Sequence, residues 1–469
     1  MKQKLLYIAF LAMTAIAAQA QVAFVGNQHE VMQIEPATNT GLKKIFVLHE
    51  TEGVSMTYTA STHQPVTFYR YGELGGGYAQ ALDVISADEG RVYTLEQVVG
   101  NSGYIIEEGT TRYYCWVVDY SKYPLTLTSI EADDDRDCGS VTLHVEGQGD
   151  EIVYYTINGA RRVLSRDLKL SYYDLELKEP TQDDDPEASE YLKPSWEQTL
   201  VTDLLENYKP VIVMPAPTCN TTFTIAGDRF MDFWQEGVSR ESNTWSTVAV
   251  GVHATATQEK RENDNEKKSE SQGALGGSAP VHITFEAFCT DEVVHKEWQM
   301  ALDPEFNDIQ LRLNQEVVEQ DFNDAGTTYW RFIGSNNDGS CEAVSDVFTV
   351  DIGVSELVCP NVFTPGTSIR TNDVWKVSYR SITDFHCWIF NRWGNQIIEF
   401  TDPSQGWDGT YHGKLVGPGV YYYVIQAQGS DGKKYKLSGD INIIRYKDRS
   451  SSSTGPVSPT TTDDPNNEN

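Results

Sequence analysis

The stretch at residues 390–425, FNRWGNQIIEFTDPSQGWDGTYHGKLVGPGVYYYVI, decides how the rest of the chain is read. It places Gly at two tight turns, Asn391-Arg392-Trp393-Gly394 and Trp407-Asp408-Gly409, before Pro418-Gly419 and a Tyr-rich run through Tyr421. Gly394 and Gly409 suit positive φ, which residues with a Cβ adopt only under strain. Asp408 is placed to accept a backbone amide two residues on, and Pro418-Gly419 suits a type II turn. Trp393 and Trp407 are expected to fill the small core that these turns close. With Phe390 at its head, the stretch reads as the fold signature of a small antiparallel sandwich.

Working outward, short runs rich in Val, Ile, Tyr and Thr recur between Gly, Asn and Asp clusters at 44–48, 66–71, 113–118, 141–146, 152–157, 281–287 and 329–333. That rhythm predicts an all-β protein of tandem Ig-like β-sandwich domains. Aromatic residues make up 11% of the chain and 25 of them are Tyr, which half-buried strands accommodate. In TRYYCWVVDY, from Thr111, both alternating faces are apolar, so the strand is expected to be central or to lie at a domain contact.

One segment breaks the rhythm. Ser195-Trp196-Glu197-Gln198 has the form of a capping box, and Trp196, Leu200, Leu204 and Tyr208, joined by Val201 and Leu205, follow a helical period before Pro210. The spacing predicts one short inserted helix over 195–208. The acidic stretch 179–194 and the charged, Gly/Ser-rich stretch 257–280 read as loops or linkers unable to bury a core. The resulting divisions are a signal peptide at 1–20, a β-sandwich at 21–128, a second β domain at 129–218, an Ig-like region at 219–355, a C-terminal domain at 356–446 and a disordered tail at 447–469.

At 469 residues the chain is long enough for about three or four domains. Lys2 and Lys4, an apolar run over 5–18 and Ala18-Gln19-Ala20 have the form of a secretory signal. The apolar run is too short to span a bilayer, so no transmembrane segment is expected. The net charge is −32, and its distribution is uneven: residues 356–446 carry +1 and 447–469 carry −2, leaving −31 on residues 1–355. An acidic body repels polyanions and keeps an exported chain soluble, so nucleic acid is not an expected partner. Seven cysteines allow disulfides outside the cytoplasm with one thiol left over. Cys289 with Cys341 and Cys359 with Cys387 are the expected pairs, each inside one domain.

A search for chemistry gives little. HExxH, GxSxG and GxxxxGK are all absent, and the nine histidines are scattered. GELGGGYAQALDVI, from Gly72, lacks the GxGxxG spacing and reads as a flexible hairpin. DDDRDCG is the metal candidate, with Asp133, Asp135 and Asp137 as hard oxygen donors for calcium; a solvated acidic turn is the plainer account. No other cofactor is expected.

Residues 279–353, with APVHITFEAFC and FNDAGTTYWRFIGSNNDGSCEAVSDVFTVDI, resemble the polycystic-kidney-disease type of Ig-like domain, which implies a spacer or adhesive module. More specifically, CPNVFTPG, FHCWIFNRWGNQI, GWDGTYHGK, GPGVYYYVI and LSGDINIIR follow in the order of the gliding motility-associated C-terminal domain, the type B signal domain of type IX secretion. The resemblance implies a C-terminal seven-stranded β-sandwich recognised by the outer-membrane secretion machinery, with Phe390, Asn391, Arg392, Trp393, Gly394, Trp407, Asp408, Gly409, Pro418, Gly419 and Tyr421 as markers of the docking module. The chain departs from the family at Thr364-Pro365-Gly366-Thr367-Ser368-Ile369, which lacks an acidic turn, and in continuing after Tyr446.

The expectation is an exported, non-enzymatic protein at the cell surface or outer membrane, reached through the periplasm, with an adhesive or structural role. Surface glycans or other surface proteins are the further partners considered. Two alternatives stay open: an accessory subunit bound to the type IX translocon or motility apparatus, and a glycan-active enzyme or glycan-binding protein.

Overall fold

The computed structural model describes residues 22–87, 91–134, 136–179, 193–267, 275–366 and 372–444. The signal segment, the tail, Asp135 and most of the acidic stretch at 179–194 lie outside them. The chain divides into two compact units, one built on residues up to 250 and one from 251 onward, with the short stretch 290–292 grouped with the first. Nearly all regular structure is β, and every run expected to be a strand lies in or overlaps one.

The first unit holds two sandwiches. In the N-terminal one, a four-stranded sheet (Val22–Val25, Ser55–Thr59, Val92–Leu95, Ile85–Ala87) faces a six-stranded sheet whose centre is formed by Lys44–Leu48, Thr111–Asp119 and Ser102–Glu108. Phe46, Met56, Phe68, Tyr104, Ile106 and Val117 fill the space between them. The opposite side of the six-stranded sheet is also covered. Ile45, Val47, Trp116 and Val118 pack there against Ile152, Tyr154, Leu164 and Phe230 of the second sandwich. The two apolar faces of Thr111–Asp119 thus arise from a central strand at a domain contact. The Gly-rich segment after Gly72 turns a hairpin between Val66–Tyr71 and Gln80–Leu82, and a Cβ on Gly75 would lie 2.5 Å from the Gly159 amide nitrogen, so glycine permits this close approach.

The second sandwich packs Leu125–Ala132, Ser140–Gly149 and Val211–Pro215 against a sheet of order Ser195–Leu205, Leu168–Lys178, Thr224–Ala226, Ser239–Glu241. Two expectations are corrected here. The expected helix at 195–208 is instead the strand Ser195–Leu205, paired residue for residue with Leu168–Lys178. Val201 and Leu205 reach the core, whereas Leu200 and Leu204 stand 56% and 63% exposed. An eleven-residue antiparallel ladder satisfies every alternate backbone group, and the apolar residues four apart merely coincide with its period of two. The boundary at 218 also moves, because Thr224–Ala226 pairs with Leu168–Lys178 and carries Ser239–Glu241 with it, so these strands complete the second sandwich. The α-helix of the described residues is Arg229–Phe233, capped by Asp228.

The second unit begins with an Ig-like sandwich. Its three-stranded sheet (Val252–Gln258, Val281–Cys289, Val317–Phe322) faces a sheet containing Leu275–Gly277, Phe348–Ile352, Gly326–Ser335, His295–Ala301 and Ile309–Leu313. Trp298 and Trp330 are buried between them, Trp330 stacked on Phe285 at 4.6 Å. The C-terminal module follows with a five-stranded sheet (Val362–Phe363, Lys434–Ile443, Gly419–Gly429, Ile382–Phe390, Gln396–Phe400) and a two-stranded sheet (Glu356–Val358, Ser378–Arg380). Those seven strands form the expected sandwich, with a short hairpin, Thr410–Tyr411 and Lys414–Leu415, added at one end.

Candidate docking module

The module is assembled by its turns. Trp375 and Trp407 exchange backbone hydrogen bonds, 2.8 and 2.9 Å, and both side chains are fully buried. The indole nitrogens stay paired inside the core: Trp375 Nε1 donates to Pro360 O at 2.6 Å and Trp407 Nε1 to Thr410 O at 2.9 Å. Asp408 Oδ1 accepts from the Thr410 amide at 2.9 Å and from its hydroxyl at 2.7 Å, the side-chain turn that its position implied. Gly409 has φ +78°, and a Cβ there would come within 2.6 Å of Pro365. Tyr421 meets Trp407 edge to face at 5.1 Å and donates to Gly417 O at 3.1 Å. Gly419, at φ +146°, opens the strand after Pro418.

Trp393 is the exception. Asn391 Oδ1 accepts from the amides of Trp393 and Asn395, both at 3.0 Å, closing a turn in which Gly394 has φ +82°. This tight closure leaves Trp393 at the hairpin tip, 70% exposed, with the Arg392 guanidinium over its ring at 4.2 Å. The expectation that Trp393 fills the core is therefore corrected, since a side chain at the apex of a two-strand turn points away from the sheet stack.

The outer face of the five-stranded sheet carries a second aromatic feature. Phe390 pairs with Tyr422 and Trp388 with Val424, so alternation sets these side chains together on the side away from the core. Tyr422, Val420 and Val424 are exposed, and His386 stacks on Trp388 at 3.8 Å. Together with Trp393, this is the surface that the turns display. Alternation in VYYYV was the signal for it, because Tyr421 and Tyr423 turn inward and leave Tyr422 outward.

The module is also tied to the Ig-like sandwich of its own unit. The stretch 257–280 was expected to be a loose loop or linker. Its described part instead forms an ordered strap: Lys267 N donates to Tyr379 O and Tyr379 N to Asn265 O, while Asn265 Nδ2 reaches Val377 O and Pro403 O at 2.8 Å. Lys376 pairs with Asp264 at 2.7 Å, and Lys267 pairs with Glu356. Residues 268–274 lie outside the described set. Backbone hydrogen bonds to the module hold this polar run, which has no core of its own. The direct link is pinned as well: Ser355 Oγ donates to Asp431 Oδ1 at 2.7 Å, Ser381 N to Ser278 Oγ at 2.8 Å, and Ser430 Oγ to Gly353 O at 3.1 Å. All four serines are buried.

The cysteine pairing differs from expectation. Cys289, Cys359 and Cys387 carry free thiols, so neither Cys289–Cys341 nor Cys359–Cys387 forms. Burial raises the thiols of Cys289 to about 11 and Cys387 to about 12, and pushes Cys115 higher still. They are structural thiols in apolar surroundings, unsuited to nucleophilic work at neutral pH. In the calcium candidate, Asp133 faces His144 Nε2 at 3.1 Å, while Asp137 closes its own turn by accepting from Gly139 N and Ser140 Oγ. Asp135 lies outside the described residues.

Comparison with known proteins agrees with this construction. Residues 357–443 match the family model of the CHU_C Type IX secretion signal domain, and residues 129–242 match that of the Fibronectin type III domain. The second match spans the strands that move the boundary past 218. The chain therefore carries a type IX secretion signal, which marks it for export by that system to the cell surface or outer membrane. Among the described residues no helix is long and apolar enough to cross a membrane. No curated protein matches the chain. Similar solved structures include three N-terminal domains of the highly immunogenic outer capsid protein of bacteriophage RB49, at 11% identity and TM-score 0.20, covering 69% of this chain and 100% of that one. Dimeric latent PorU from Porphyromonas gingivalis is similar at 9% identity and TM-score 0.17, covering 83% of this chain and 43% of that one. At these TM-scores neither likeness bears on the arrangement or role of this chain.

Proposed function

We propose that this is a non-enzymatic surface protein of the type IX system, adhesive or structural in role, whose C-terminal module remains attached as a permanent docking piece. The observation that carries the reading is the pinned link at Gly353 and Ser355. A module meant to be removed needs an accessible and loose connecting segment, whereas here Val354 alone stands exposed between Gly353, whose carbonyl accepts from Ser430, and buried Ser355, whose amide and hydroxyl both hydrogen-bond Asp431. Docking to the outer-membrane machinery uses the outer aromatic face, with half-buried Trp388 and Phe390 beside exposed Tyr422 and Trp393 at the tip, since aromatic anchors dominate such contacts.

The retained module also favours a second reading, an accessory subunit held at the translocon or motility apparatus. Disruption of the gene separates the two. A subunit is required for export of other type IX cargo, and a surface adhesin is dispensable for it. For the docking claim, the double variant Trp393→Ala, Tyr422→Ala is expected to fold normally and to accumulate in the periplasm. Normal surface delivery of that variant would assign recognition to another face.

A further inference from the structure

We propose that His29, His49 and Glu236 form a binding site for one divalent transition-metal ion of the zinc class, clamping the helix-bearing segment of the second sandwich onto the rim of the first. The trio is assembled by strand register. Met32–Ile34 pairs antiparallel with Lys44–Leu48, Met32 opposite Val47, so His29 before one strand and His49 after the other emerge at the same end. Their rings lie 3.9 Å apart. Glu236 arrives from the turn after Arg229–Phe233, held by its amide donating to Met231 O at 2.8 Å. Trp234, on the same turn, donates to Glu30 O at 2.8 Å and sets its indole edge to face with His49 at 5.0 Å, walling one side.

The distances suit a metal. Glu236 Oε2 is 3.1 Å from His49 Nε2 and Oε1 is 3.7 Å from His29 Nε2, and one ligand atom from each residue lies within 4.8 Å of the others. Donors bound at about 2.0–2.2 Å around a tetrahedral ion stand roughly 3.3–3.6 Å apart, so closure draws the widest pair inward by no more than about 1.5 Å, a shift that side-chain rotation at the surface supplies. Two imidazoles and one carboxylate are a donor set that zinc accepts with its fourth position open, whereas calcium and magnesium favour an all-oxygen shell. His29 Nδ1 is buried and has no hydrogen-bond partner among the described residues, so Nε2, which faces Glu236, is the nitrogen placed to meet an ion. The side chains are 29%, 31% and 45% exposed, which leaves an entry path from solvent. The pairs His144–Asp133 and His282–Asp321 each bring one imidazole to one carboxylate and lack a second ring in the trio's geometry, which makes them internal controls.

The test uses the full exported chain, stripped with a chelator and titrated with zinc sulfate by calorimetry, with magnesium as the comparison ion. One zinc per chain is expected. His49→Ala and Glu236→Gln should each weaken it at least about tenfold, while His144→Ala and His282→Ala leave it unchanged. Cobalt should give the visible absorption of a tetrahedral site in the wild type and lose it in His49→Ala. Melting without metal checks that the variants fold, and if Glu236→Gln melts early, His29→Asn replaces it. No stoichiometric zinc binding, or equal binding by wild type and the ligand variants, would overturn the proposal and leave the trio a histidine–carboxylate contact cluster without a metal.

Discussion

Each unit of this molecule joins two sandwiches, and the two junctions are built differently. In the first, the outer face of the N-terminal sheet is a second apolar core, and within it Arg166 and Asp228 form an ion pair at 2.5 Å with both side chains fully buried. Arg166 spends its remaining donors on Asp150 O and Tyr123 O, and Tyr120 donates to Asp228 Oδ2 at 3.0 Å. In the second unit the two cores share no residue among the described ones, and buried serines, glycines and a polar strap bridge the gap. A junction that shares a core is part of the folding of both partners. One made of hydroxyls and backbone groups joins two parts that are already complete.

The largest expected effect breaks the first junction. Asp228→Ala leaves Arg166 charged and buried without its partner, and should cost about 3–5 kcal/mol, read by urea denaturation of the whole chain. The unit should lose cooperativity, with its two sandwiches unfolding in separate transitions. Next is Gly409→Val in the module, at about 2–4 kcal/mol, because the residue sits at positive φ and its side chain meets Pro365. Gly394→Ala, with open space around its Cβ, should cost only about 1 kcal/mol. Ser381→Ala at the second junction removes one buried hydroxyl and should cost about 1 kcal/mol. Its clearer readout is faster proteolysis near residue 353 with both sandwiches still folded.

A pH experiment sharpens the contrast from another side. Burial alone would raise the Glu108 carboxyl, but hydrogen bonds from Thr62, Tyr58 and Ser61 outweigh it and hold the group at about 2. A carboxyl held below its unfolded value contributes stability that is complete above about pH 4.5 and is lost as pH falls toward 2. The wild type should therefore lose stability relative to Glu108→Gln across that window. The effect belongs to the N-terminal sandwich, so melting of the C-terminal module should not register it.

Most of the fold was legible because strand alternation and turn chemistry are local. The C-terminal signature is the clearest case, since Gly409, Asp408 and Trp407 each do what their residue types imply. The failures have physical reasons. Residues 195–205 satisfy both a helical period and an alternation, and the partner strand that decides between them is set by tertiary pairing. Trp393 was assigned to the core by its chemistry, but the Asn391 turn settles its direction. The strap at 263–267 has no apolar pattern because it is held by backbone bonds. His29 and His49, twenty residues apart, meet through antiparallel register, and Glu236 comes from a second domain; no spacing rule along the chain links the three.

The measurement that bears most directly on the docking account is peptide mapping of the protein recovered from the outer-membrane fraction, in cells with the type IX channel intact and disabled, with protease accessibility on intact cells in parallel. With the channel intact, the account predicts a surface-accessible chain whose peptides continue through residues 357–443; with it disabled, the chain should accumulate in the periplasm. Surface chains whose peptides stop before residue 357, or delivery that ignores the channel, would contradict it.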